Sequence, residues 1–426
     1  MISSFKTKEE TLLAGGAPVA QIVRAAGSPV YIYDAEVMRR QYTRLAKALP
    51  RGFRLFYSIK ANPNLSVVKV FKKLGAGAEA ASSHEVMTAI KAGVPRGAIA
   101  YAGPGKSDSE IELAVDHRIG AINVESVTEF DRIVAAAGKT GKLANVAIRL
   151  NLDYTHDDGA GGHVMAGGPR KFGVDPDMAE DLAKRAMKEK WVRFVGFHLF
   201  PGTGIMNPQI LAGAHNALAV YALRLAEKLQ TRIGYLNFGG GLGIPYKDGE
   251  PELDIHAATA GIKAIAKELR RSKWFQDVMF VMEPGRYLVG PSGVYVSTII
   301  DVKTSRGKTY VITDGGIHHA LIPIVMNKSF PTALVNRMGQ KADTQVRVGG
   351  PLCATPDQFS REIMIPAPRM GDLLGIFNSG AYGYSASMLG FLSHTAPAEA
   401  LVDDGRVYII RERQAPVMGV KKRLKI

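Results

Sequence analysis

From about residue 53 the chain alternates short β-rich runs with longer stretches whose apolar residues recur at helical spacing. That is the rhythm of a parallel sheet joined by crossover helices. The predicted strands are Phe53 to Ile59, Ala76 to Ala80, Ala98 to Tyr101, Gly120 to Val124, Asn145 to Leu150, Arg193 to Phe197, Gly234 to Phe238 and Val278 to Met282. The predicted helices between them are Asn64 to Leu74, Ser83 to Ala92, Ser107 to Asp116, Val127 to Ala137, Met178 to Lys188, Gln209 to Leu229 and Ile255 to Arg271. This succession matches an α/β fold, a (β/α)₈ barrel of the TIM type, in which chemistry gathers at the carboxyl ends of the strands. After Gly285-Arg286 the pattern changes to β-rich runs without long helices: Gly293 to Lys303, Lys308 to Thr313, Gln345 to Val348, Asp372 to Phe377 and Arg406 to Arg411. These predict a C-terminal β-barrel or sandwich domain, which the strand-like Pro29 to Asp34 is expected to join. The expected division is a barrel over 36–283 and a β domain made of 1–35 and 284–426.

Polar or glycine-rich groups follow nearly every predicted strand: Lys60, Glu79, Gly103, Glu125, Asn151, His198, Gly239 to Gly241, and Glu283. Lys60 closes the run Phe53 to Lys60 and is followed by Ala61-Asn62-Pro63. A lysine at the end of a buried strand is desolvated, which frees its amine to condense with an aldehyde such as pyridoxal phosphate. Taken alone, a surface lysine after a strand is the commoner case. Gly239, Gly240 and Gly241 let backbone amides approach a phosphate near the end of the barrel, where barrels often bind one, and Thr203 can add a hydroxyl. The same cluster would also serve a tight strand-to-helix turn. Glu283 and Arg286, in Glu283-Pro284-Gly285-Arg286, read either as a salt bridge at a domain junction or as two ligand groups. In the second reading the carboxylate keeps a pyridine nitrogen protonated and the guanidinium meets a phosphate or substrate carboxylate. Tyr382, between small neighbours, is either a core aromatic or a hydroxyl free to approach a ligand.

Composition narrows the class. The 426 residues, 46% hydrophobic, supply one large core and a second smaller one. No run is apolar for the length of a membrane span, and the opening residues lack the apolar stretch of a secretory signal, so a cytoplasmic protein is expected. The single cysteine, Cys353, excludes an intrachain disulfide and a cysteine-built zinc site. The formal net charge of +15 is carried by scattered residues without an aromatic-basic platform, which argues against nucleic acid. It suits an acidic protein or anionic metabolite, or serves solubility alone, together with a basic tail at 421–425. Adjacent histidines such as His318 and His319 point in different directions on a strand or turn, so no metal is expected there and they are expected to line the substrate entrance.

Taken in order, Phe56-Tyr57-Ser58-Ile59-Lys60-Ala61-Asn62-Pro63, His198 with Gly202-Thr203-Gly204, Gly239-Gly240-Gly241, Glu283-Pro284-Gly285-Arg286, Gly350-Pro351-Leu352-Cys353 and Gly380-Ala381-Tyr382-Gly383 resemble the diaminopimelate/ornithine decarboxylase family. The resemblance implies a fold-type III pyridoxal-phosphate enzyme, a barrel plus β domain assembled as a homodimer with two shared active sites. It assigns Lys60 to the covalent link with the cofactor aldehyde and Glu283 to the pyridine nitrogen. Gly239, Gly240, Gly241, Gly285, Arg286 and Tyr382 go to the phosphate region; Glu79, His198, Phe200 and Thr203 complete the expected cofactor-binding set. Arg286, Asp357 and Tyr382 are expected to bind substrate. Cys353, otherwise a small buried hydrophobe, would come from the partner subunit and return a proton to Cα after carbon dioxide leaves a substrate whose amine has displaced Lys60.

The chain departs from the family pattern in three places. Where diaminopimelate decarboxylases carry a glutamate after the cysteine to read the substrate's distal amine, this chain has Ala354. Where they carry an arginine before a proline to read the distal carboxylate, it has Ile322-Pro323. Both losses argue against meso-diaminopimelate as substrate. The histidine that stacks on the pyridine ring falls at Phe200, with His198 two residues earlier, so Phe200 is expected to supply the stacking face. Ala102 to Ser107, Thr313 to His319 and Phe391 to His394 resemble a subgroup serving secondary pathways: decarboxylases of exosortase-associated clusters and the enzyme that decarboxylates glutamate tethered to an acyl carrier protein. Such carrier proteins are usually acidic, and the basic charge would steer them. An ordinary diaminopimelate decarboxylase, a catalytically silent cofactor-binding homologue and a racemase remain as alternatives, although racemases use a tyrosine where this chain offers Cys353.

Overall fold

The computed structural model describes residues 4–154, 163–247, 249–417 and 419, so the basic tail at 421–425 lies outside the described residues. Two compact units emerge: one of residues 38–245 and 250–290, the other of 1–37, 246–249 and 291–426. The division falls two residues after the first expected boundary and seven after the second, and 246–249, expected in the barrel, group with the sheet unit.

The first unit is a closed parallel barrel of eight strands, β1 Phe53–Ser58, β2 Gly77–Ala80, β3 Ile99–Tyr101, β4 Ala121–Val124, β5 Ala144–Arg149, β6 Val192–His198, β7 Tyr235–Asn237 and β8 Met279–Met282. They pair in sequence order, and β8 closes onto β1 with Phe280 opposite Phe53. The crossover helices are α1 Leu65–Lys73, α2 Ser83–Lys91, α3 Asp108–Asp116, α4 Val127–Thr140, α5 Pro176–Lys188, α6 Pro208–Leu229 and α7 Ile255–Leu269. Each predicted strand and helix of the barrel is present, with ends displaced by at most three residues.

The helix starts follow from their capping side chains. Asn64, Ser82, Ser107, Ser126, Asn207 and Asp254 each accept a hydrogen bond from a first-turn backbone amide, and Ser107 with Glu110 completes a capping box. β3 and β4 are short, largely apolar runs buried throughout, which is the pattern of a sheet covered on both faces. At Gly196 the β6 register shifts between Phe194 and Gly196, φ is +148°, and an added Cβ would lie 1.9 Å from the Tyr235 carbonyl oxygen. No residue but glycine fits that bulge.

His215 on α6 is fully buried, meets Phe238 edge to face, and has no hydrogen-bond partner on either ring nitrogen among the described residues. Burial pushes its pKa down to about 4. Between pH 6.5 and 4 the unfolded chain therefore binds a proton that the fold refuses, and this histidine removes stability as pH falls, by at most about 1.4 kcal/mol per pH unit. Thermal melts of His215→Leu and the parent should differ in the variant's favour by more at pH 5 than at pH 7. Melting curves that move in parallel would contradict this.

The second unit holds a nine-stranded sheet among its described residues. Its main path runs Gln358–Ile365, Thr344–Gly349, Lys308–Thr313, Gly293–Ser305, Val30–Asp34, Ala398–Asp403 and Arg406–Arg411, with Leu373–Ile376 and Thr332–Leu334 pairing off it. Val30–Asp34 lies antiparallel to Gly293–Ser305 and parallel to Ala398–Asp403. Val30, Ile32, Val294, Val296, Phe377, Ala400 and Val402 build the core beside it. Absent from the sequence reading were Thr332–Leu334, Gln358–Ile365, Ala398–Asp403 and the helices Val19–Ala26 and Ala35–Ala48.

Candidate active site

β1 ends at Ser58, and Lys60 sits in a single 3₁₀ turn, Ile59–Ala61, rather than at the strand end expected from its apolar run. The Ser58 amide donates to the Pro284 carbonyl at 3.3 Å, Tyr57 Oη donates to the Asn62 carbonyl at 3.0 Å, and Asn62 is extended, as a residue before proline must be. These bonds turn the chain and send Lys60 toward β2. Its Nζ lies 2.9 Å from both carboxylate oxygens of Glu79, and its side chain is 34% exposed. The expected desolvation of the amine is thus corrected: an ion pair, not burial, governs Lys60. Glu79 is buried and takes a second hydrogen bond from Ser58 Oγ. Behind it, burial pushes the Glu85 carboxyl up to about 7, aided by the charge of Glu79 and opposed by the hydrogen bond from the Ala81 amide.

At the carboxyl end of β8, Glu283 accepts from Asn237 Nδ2 at 2.6 Å and meets His198 Nε2 at 3.1 Å; all three side chains are buried. Burial alone would raise the Glu283 carboxyl. The charge and hydrogen bond of His198, the charge of Lys60 and the bond from Asn237 outweigh it, so Glu283 is held below the usual carboxylate range and ionised. Asn237 Oδ1 in turn accepts from the Gly239 amide at 2.9 Å, which fixes the start of the glycine turn. His198 Nδ1 is buried with no partner among the described residues. Phe200, two residues on, has its ring 5.0 Å from Lys60 Nζ and 5.7 Å from Arg149 Cζ. His198 therefore serves Glu283, while Phe200 turns its face toward Lys60.

The three glycines answer to local packing. A Cβ at Gly239 would lie 2.3 Å from the Leu199 carbonyl oxygen, one at Gly240 2.2 Å from that of Glu283 and one at Gly241 2.7 Å from that of Gly202. The close packing accounts for all three glycines as a tight turn, in which the Gly239 amide is taken by Asn237 Oδ1. Arg286 opens the short helix α8, Arg286–Val289, and its Nη2 approaches Thr203 Oγ1 at 3.4 Å. Gly285 packs against Ser58 and Ala61, 2.9 Å from each Cβ by the same construction.

Lys60, Glu79, His198, Phe200, Thr203, Gly239 to Gly241, Glu283, Gly285 and Arg286 thus converge at one end of the barrel. Sequence reasoning missed Ser58 and Asn237, and also Arg149, whose buried pair with Glu125 at 2.7 Å stands beside the buried pair of Lys106 and Glu129 at 2.7 Å.

Cys353, Asp357 and Tyr382 belong to the sheet unit. Cys353 is exposed on the loop that follows Gly350. Asp357 is buried; its Oδ1 accepts from the Ile317 amide and its Oδ2 from the Leu352 amide, each at 2.8 Å. The carboxylate expected on the substrate side is instead the clamp joining the Cys353 loop to the Gly315-Gly316 turn. Tyr382 is half-buried with φ of 55°. His318 and His319, expected at an entrance, are buried with ring centroids 3.6 Å apart, and His394 lies 4.8 Å from His318. Among the described residues no cluster of three or more His, Cys, Asp or Glu converges as a metal site would, and no helix is long and apolar enough to cross a membrane.

The donor set fits pyridoxal phosphate: an amine in a turn, an ionised buried acid beside an imidazole whose other nitrogen has no partner among the described residues, an aromatic face near the amine, and arginine, threonine and glycine amides alongside. Comparison with known proteins agrees. A family model described as pyridoxal-dependent decarboxylase, pyridoxal binding domain, matches residues 35–290. The L-glutamyl-[BtrI acyl-carrier protein] decarboxylase of Niallia circulans is 33% identical over 408 residues, 93% of this chain and 94% of that protein. The diaminopimelate decarboxylase of Methanothermobacter thermautotrophicus is 32% identical over 95% of this chain and 93% of its own. Among solved structures, a diaminopimelate decarboxylase from M. jannaschii superposes with a TM-score of 0.90 at 25% identity, covering 97% of this chain and 96% of the other.

Proposed function

Because this chain belongs to the pyridoxal-dependent decarboxylase family, we propose that it removes the α-carboxylate of an amino acid borne on an acyl carrier protein, rather than that of meso-diaminopimelate. It is a pyridoxal-phosphate-dependent carboxy-lyase acting on a substrate of the amino-acid type. Bound pyridoxal phosphate supplies an electron sink for the charge left on Cα when carbon dioxide departs.

The chain's own residues do the rest. Lys60 offers the amine that holds the aldehyde, and Glu79 keeps that side chain in place. Glu283, held ionised by His198 and Asn237, would face the pyridine nitrogen and keep a proton there. Phe200 would give the ring a flat apolar face, and Arg286, Thr203 and the Gly240 and Gly241 amides would meet the phosphate, the Gly239 amide being held by Asn237 Oδ1. Cys353, on the loop that Asp357 clamps, gives the proton that replaces the carboxylate. That loop acts from the partner subunit of a homodimer. Mixing inactive Lys60→Ala and Cys353→Ala proteins should then restore carbon dioxide release, because each hybrid contains one site with both residues intact; a mixture as inactive as its parts would refute sharing.

The observation carrying the substrate reading is the pair Ala354 and Ile322, apolar where the distal amine and distal carboxylate of diaminopimelate would be read. A site lacking partners for two charged groups pays their desolvation without return. The carrier-bound substrate of the Niallia circulans relative makes the alternative concrete. Carbon dioxide release measured over free amino acids, meso-diaminopimelate and carrier-bound aminoacyl thioesters tests it. The carrier-bound glutamyl thioester should be preferred by kcat/KM. A preference for meso-diaminopimelate would install the second reading, which the Methanothermobacter and M. jannaschii relatives favour.

A further inference from the structure

The sheet unit contains a cavity of about 530 Å³, within the range of small-molecule sites. Two of its walls are chain segments already singled out. Pro323 and Ile324 directly follow Ile322, and Thr355 and Pro356 directly follow Ala354. The cavity thus opens beside both positions at which a reader of the substrate's distal end has become apolar. Its remaining lining is amphipathic. Lys328 and Arg347 bring two cations, Ser329 and Ser360 bring hydroxyls 3.4 Å apart, and Phe359 brings an apolar patch. Among the described residues no acid lines it.

Arg347 is already oriented. Its Nη2 donates to Glu362 at 3.2 Å and its Nη1 to Tyr310 Oη at 3.3 Å, so the guanidinium is fixed in place. Its Nε is buried without a partner among the described residues. A buried donor left unpaired costs free energy unless a ligand or water satisfies it. Lys308 shares Glu362 at 3.5 Å but does not line the cavity.

We propose that this cavity binds the phosphorylated pantetheine tether of a carrier-bound substrate, with Arg347 and Lys328 on its phosphate and Phe359, Ile324 and the serines along its gem-dimethyl and amide portion. The inference rests on the carrier-bound reading of the substrate. It gives that reading a physical recognition element. A tether of one anionic phosphodiester, a hydroxyl, two amides and an apolar kink matches two cations, hydroxyls and an apolar patch. A free amino acid uses none of them.

Calorimetric titration of the pyridoxal-phosphate-loaded enzyme with 4′-phosphopantetheine and with pantetheine tests the cavity without turnover. The phosphorylated compound should bind at least about tenfold tighter. Arg347→Gln and Lys328→Gln should each erase most of that preference, while Lys308→Gln, which removes a cation from the same ion cluster outside the cavity, should leave it intact. Equal binding of the two compounds, or a preference that survives Arg347→Gln, overturns the proposal. Turnover separates it from the reading beneath it. If carrier-bound substrate is decarboxylated with a KM unchanged in Arg347→Gln, the cavity assignment fails and the substrate reading stands. If phosphopantetheine binds through Arg347 but carrier-bound substrate is not turned over, the substrate reading fails and the anion site stands.

Discussion

Lys60→Ala is expected to abolish the visible absorbance of covalently held pyridoxal phosphate and to lower carbon dioxide release by at least about 10³-fold, the scale on which an activated nucleophile and its proton transfers contribute. The geometry makes the loss specific. Lys60 is placed by a turn that Tyr57, Asn62 and Pro284 fix through backbone bonds, none of which involves the lysine side chain. The fold should therefore tolerate the change, and the melting temperature should stay near the parent's. What the variant strands is Glu79, buried and holding one remaining hydrogen bond, from Ser58. That cost is small beside the loss of the amine. A variant that keeps both the absorbance and the activity would remove Lys60 from the chemistry altogether.

Glu283→Gln should reduce kcat by about 10² to 10⁴-fold while leaving bound cofactor visible, because the change removes a charge without removing volume. The parent carboxylate accepts from Asn237 at 2.6 Å and meets His198 at 3.1 Å. A carboxamide can present its oxygen to one of them, and its own NH₂ then opposes the other's donor. The ring nitrogen loses its proton-holding partner, so the charge left on Cα is poorly delocalised. The readout that separates this from mere disorder is the ratio of kcat loss to cofactor loss. A fall in kcat tracking cofactor occupancy would reduce Glu283 to a structural role.

The barrel was legible because its signals are local. Ser, Asn and Asp caps mark helix starts, and runs of Ala, Val and Ile buried on both faces mark the strands. Lys60 and Glu283 were legible because each lies just beyond a short, largely apolar strand, β1 and β8. Asn237 was not, since a buried polar residue inside β7 looks like any other strand position until its partners are known. Arg149, inside β5, was hidden for the same reason, its partner Glu125 standing 24 residues away in sequence. Lys60 was found for a partly wrong reason, because its ion pair with Glu79 depends on the register of β1 against β2, which no local pattern encodes.

The sheet unit was less legible. Ala398–Asp403 carries Glu399 as its second residue, a charge that breaks the strand pattern. In the fold that acid is buried, accepting from Tyr33 Oη at 2.7 Å and from Arg411 Nε at 2.5 Å. Gln358–Ile365 likewise mixes charged and apolar residues along an edge strand. Asp357 was picked out beside Cys353, but its role turned on two backbone amides, one of them 40 residues away.

Everything rests on a covalent bond between Lys60 and the cofactor aldehyde. Borohydride reduction of the enzyme purified with pyridoxal phosphate, followed by peptide mass spectrometry, locates that bond. A phosphopyridoxyl group on Lys60 is the predicted result; its appearance on another lysine, such as the buried Lys106, with Lys60 unmodified, would contradict it.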